Sequence, residues 1–238
     1  MSTVIMMAVL TTVLSLTSCK KESLPLNSDR ISDPAALQKS NNISAEKSGA
    51  PLKVDGMQAY LRVRNSAGEM VNSATPGTTL LWTRPGPQSG SSLIKLLAPD
   101  GHQLTLAEFR MVSGWVDVKC INMGTHAVFH MKGLIPNGVY TLWIFAFRSP
   151  GPPNLMGAGP FGAPDGSNNS FLADAEGTAS VSIKLGDLAY LGFSGNCLSS
   201  VFESHIVTAY HPDQQTHGAT PGSIWVAQIF FPVLGSKL

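Results

Sequence analysis

The chain predicts an all-β domain built as an antiparallel β-sandwich. Three observations lead there: short stretches in which apolar and polar side chains alternate, turn residues separating them at close intervals, and no long stretch with helical periodicity. The 23 glycines and 16 prolines supply the turns, and an apolar fraction of 43% supplies the core.

The elements follow in chain order. Met57, Ala59, Leu61 and Val63 fall on one side and Gln58, Tyr60, Arg62 and Arg64 on the other, which predicts a half-buried strand over 57–64. Asn65-Ser66-Ala67-Gly68 turns it. Strands are then expected over 79–82, between Pro76-Gly77 and Pro85-Gly86-Pro87, and over 92–97, ahead of the turn Pro99-Asp100-Gly101. Residues 104–110 fit either a strand or one helical turn. In 115–121, Trp115, Asp117 and Lys119 alternate with Val116, Val118 and Cys120, and 125–131 forms the next strand. Val139–Phe147 (VYTLWIFAF) is apolar on both faces, as expected of a central strand covered on both sides. Residues 148–170 are rich in Gly and Pro, show no strand period and are expected to form a loop. Strands resume over 171–173, 178–185, 205–211 and 223–231, the last two joined by the loop HPDQQTHGATPG.

Ahead of these lies a different kind of sequence. Val4 to Leu16 is an uncharged, mostly apolar run, too short for the roughly 20 residues that cross a bilayer but suited to the core of a signal peptide. Leu16-Thr17-Ser18-Cys19 resembles the lipobox of bacterial lipoproteins. That resemblance implies a signal peptide over 1–18, a diacylglyceryl group on the thiol of Cys19, and a chain anchored to the membrane in the cell envelope, with Lys20-Lys21-Glu22 similar to surface-export signals. Residues 19–56 would be a flexible tether rich in Ser, Asn, Lys and Asp, and 57–238 the β-domain. With Cys19 lipidated outside the cytoplasm, Cys120 and Cys197 remain to pair as a disulfide. GLIPNGVYTLWI and LADAEGTASVSI together resemble immunoglobulin-like and superoxide-dismutase-like sandwiches, which implies that fold and no particular activity.

Charge and chemistry narrow the function. Charged residues make up 13% and the net charge is +1, so there is no basic field for nucleic acid. Of the six histidines, His211 and His217 flank Asp213 in one loop, which can fold back and present all three to a copper or zinc ion. His126 or His205 could join from a neighbouring strand. A blue-copper site would need a free thiolate with nearby histidines, and a superoxide-dismutase-type centre a His-x-His cluster; the chain offers neither. Gly192-Phe193-Ser194-Gly195 falls short of a hydrolase nucleophile elbow. Asp174 and Glu176 read as a β-turn rather than an acid/base pair. Leu155, Met156 and Phe161 could form an apolar loop tip that contacts a protein, glycan or small molecule. Three functions therefore stand: a lipid-anchored, non-enzymatic binding sandwich, a metal-binding protein, and a hydrolase.

Overall fold

The computed structural model describes residues 50–86, 92–150 and 154–238, and within them the chain is an antiparallel β-sandwich. Cys19, the apolar run before it and the expected signal peptide lie outside the described residues. Among those residues no helix is long and apolar enough to cross a membrane.

Among the described residues twelve strands and one short α-helix follow in order: β1 (Leu52–Asp55), β2 (Met57–Gln58), β3 (Trp82–Thr83), β4 (Ile94–Lys95), α1 (Leu106–Phe109), β5 (Ser113–Ile121), β6 (Gly124–Lys132), β7 (Val139–Phe147), β8 (Leu155–Pro160), β9 (Ser170–Leu172), β10 (Ala179–Leu185), β11 (Glu203–His211) and β12 (Val226–Leu234). One sheet runs β1-β5-β6-β10. The other runs β2-β12-β11-β7-β8, with β9 also on β7, and β3 and β4 form a small separate pair. Every pairing is antiparallel.

The core lies between the two sheets. Phe129 of β6 meets Phe231 of β12 at a ring separation of 5.5 Å and Phe161 at 5.6 Å, both edge-on, and all three rings are buried. Burying rings of this size stabilises the sandwich by about 1.5–3 kcal/mol each. Tyr140, buried in β7, donates to Gln228 Oε1 (2.7 Å), and Gln228 donates to the Phe109 carbonyl (3.0 Å), a buried chain of polar groups that links three elements. α1 begins at Thr105 with a capping box closed by Glu108, which resolves 104–110 as a helical turn. The Cys120–Cys197 disulfide is present with Cα atoms 5.5 Å apart, inside the span that a bridge requires.

Four readings of the sequence are corrected. The expected tether ends earlier than Gly56, because Leu52–Asp55 pairs with β5. The strand expected over 57–64 stops after Gln58. There Arg62 takes a left-handed φ of 69° and its guanidinium donates to the carbonyls of Arg84 and Ser223 (both 2.8 Å) while lying over Trp225; these tertiary bonds override the local alternation. The expected loop 148–170 contains β8, whose glycines serve packing: a Cβ at Gly157 would overlap the backbone of Leu191. Phe161 is not an exposed tip, being fully buried against Phe129.

Candidate metal centre

β11 ends at His211 because Pro212 has no N–H to continue the ladder. The chain then reverses. Gln214 takes a φ of 55°, its N–H donates to the His211 carbonyl (3.0 Å), and its side chain reaches the same carbonyl (3.0 Å), Tyr210 Oη (3.2 Å) and the N–H of Val139 (3.3 Å). This turn brings Asp213 and His217 back over the end of β11. Asp213 accepts the Gln215 N–H on Oδ1, and its Oδ2 lies 3.1 Å from His217 Nε2. His217 rests on Gly222, where the φ of 68° suits glycine and a Cβ would overlap the imidazole.

The result is a convergence of three donors. One nitrogen from each of His211 and His217 and one carboxylate oxygen of Asp213 lie within 4.8 Å of one another. The two imidazole rings are 5.8 Å apart. Bonds of about 2.0–2.1 Å from a tetrahedral zinc place donor atoms roughly 3.3 Å apart. The Asp213–His217 contact is already shorter than that, so an ion requires the His211 nitrogen to close on these two from a separation of up to 4.8 Å.

His211 distinguishes this cluster from a surface loop with incidental histidines. It is 0% exposed. Its Nε2 lies 2.7 Å from Thr141 Oγ1, while its Nδ1 is buried with no hydrogen-bond partner. An orphaned polar atom inside a folded protein is costly, on the order of 1–3 kcal/mol. Burial pushes the His211 pKa down to about 4, with Asp213 opposing and His217 adding to the shift. The ring is thus neutral at pH 7, the form in which imidazole binds a metal.

The other histidines do not join. His205 is on β11 but six positions away, about 20 Å at strand spacing, and is paired with Glu203 at 2.6 Å. His126 belongs to the other sheet, where it lies 2.9 Å from Ser182 Oγ, and burial with the nearby Lys119 and Lys184 lowers its pKa. That serine–histidine pair links the neighbouring strands β6 and β10. Asp174 binds the N–H groups of Glu176 and Thr178 in a turn, as expected of ADAEG.

The proposed apolar contact residues divide. Leu155 is exposed on β8, Met156 is partly covered, and Phe161 is in the core. Elsewhere, a shallow cleft of about 460 Å³ runs past Trp115, His130, Lys132, Thr178 and Ser180 on the outer face of the β1-β5-β6-β10 sheet. The indole there is stacked on His130 and capped by Lys53, so its ring faces are already occupied. Sequence reasoning singled out the metal trio from its spacing, but missed Thr141 and Trp143, which reach the site from another strand. No protein-family model matches the chain, and no curated protein matches it.

Proposed function

We propose that this protein is a lipid-anchored protein of the cell envelope that binds a single zinc or copper ion through His211, Asp213 and His217. The observation that carries the reading is the convergence of one nitrogen of His211, one nitrogen of His217 and an oxygen of Asp213 within 4.8 Å, at a buried His211 whose Nδ1 has no hydrogen-bond partner. Two imidazoles and a carboxylate suit Zn(II) and Cu(II), with Cu(II) bound more tightly at such N/O sites. Three protein ligands leave a coordination position for water or an external ligand. Anchoring through Cys19 rests on the resemblance to a lipobox, and the Cys120–Cys197 bridge supports an oxidising compartment.

The test is metal content of the full chain, extracted from membranes in detergent and purified without a histidine tag. We expect close to one zinc or copper per chain after loading, falling at least tenfold in affinity in His211→Ala and His217→Ala. No bound metal after incubation with excess Zn(II) and Cu(II) would overturn the reading and return a binding sandwich with another ligand to the front.

A further inference from the structure

We propose that Thr141 is the positioning residue of this centre, holding the Nε2 edge of His211 so that the ring offers Nδ1 to the ion. The inference rests on the metal-binding reading above. Thr141 and His211 stand on neighbouring strands. The β7–β11 register pairs Thr141 with Ala209 and Val139 with His211, which makes Thr141 and His211 diagonal neighbours on one face of the sheet. Thr141 Oγ1 thereby lies 2.7 Å from His211 Nε2, and both side chains are buried.

A third residue limits what the hydroxyl can do. Trp143, two positions along β7, donates its indole N–H to the same Oγ1 at 2.6 Å. An indole N–H only donates, so one lone pair of Oγ1 is taken. One lone pair and the O–H remain for His211. A neutral imidazole that binds metal through Nδ1 carries its proton on Nε2, and in this dry site that N–H needs an acceptor. The second lone pair of Thr141 is that acceptor, the role usually filled by a carboxylate, carbonyl or water. Without metal, the same hydroxyl can donate to Nε2 instead, which leaves Nδ1 protonated and without a partner. In either hydrogen-bonded arrangement Nδ1 is the unsatisfied atom. An ion relieves it only in the tautomer with hydrogen on Nε2. Thr141 serves both tautomers, and valine, its isostere, serves neither.

The test uses the full chain, untagged, with wild type, T141S and T141V titrated with Zn(II) against a chromophoric chelator. T141S is expected within about threefold of wild-type affinity, and T141V weaker by roughly tenfold to a hundredfold, the usual effect of losing such a partner. A purely structural role would not fix the liganding nitrogen, so ¹⁵N-histidine spectra supply the second readout. In the zinc-loaded wild type, His211 should carry metal on Nδ1 and hydrogen on Nε2. Zinc on Nε2, or wild-type affinity in T141V, would overturn the assignment to Thr141 while leaving the metal site standing. Should T141V fail to fold, the wild-type nitrogen assignment decides alone. A wild type that binds no zinc overturns both readings together.

Discussion

At His211 the fold keeps an imidazole wholly out of water, and burial lowers its pKa from 6.5 to about 4. The unfolded chain therefore takes up a proton at this residue before the folded chain does. Stability from this group is fully present above pH 6.5 and is lost as pH falls toward 4, because protons favour the unfolded state throughout that window. The full loss is on the order of 3 kcal/mol. Chemical denaturation of the metal-free protein at pH 7 and pH 4.5 should show most of that loss, and His211→Phe should flatten its contribution. An unchanged slope in the variant would show that His211 is not held neutral by burial. The sequence made His211, Asp213 and His217 legible as a trio because they share one short loop. It could not reveal Thr141 or Trp143, whose part depends on which residues of β7 lie opposite β11. Nor could it show that His211 is buried rather than at the surface of its loop.

The element that makes the site is the 212–222 turn rather than either flanking strand. Gln214 closes it onto the end of β11, and Gly222 supplies the bare backbone on which the His217 ring lies. Gly222→Ala should displace His217 twice over, by the overlap of its methyl with the imidazole and by the strain of a φ of 68° on an alanine, about 1–2 kcal/mol. Zinc affinity in G222A should fall at least tenfold by chelator competition, with most of the fold retained; unchanged affinity would place His217 outside the ligand set. Legibility among the elements follows the same physics. Val139–Phe147 was plain from its apolar run and β5 from its alternation, because both patterns record burial directly, while β6, β10 and β11 were set off by the turn residues around them. β8 was hidden because its glycines suit close packing against residues 189–191 and mask any period. The 57–64 alternation misled because Arg62 is held by carbonyls distant in sequence.

Across the whole molecule, two antiparallel sheets enclose one core, and the candidate centre occupies the end of the larger sheet where β11 gives way to its outgoing loop. The disulfide joins Cys120 to Cys197 across a sequence separation of 77, a closure contributing on the order of 4 kcal/mol in the chain-entropy model. That rigid frame delivers the buried His211, and the loop brings Asp213 and His217 to it. The most direct measurement is anomalous diffraction at the metal edge from crystals of the zinc- or copper-loaded protein. The account predicts one strong peak about 2.0–2.2 Å from His211 Nδ1, a nitrogen of His217 and an oxygen of Asp213. No peak there, or a peak coordinated by other side chains, would contradict it.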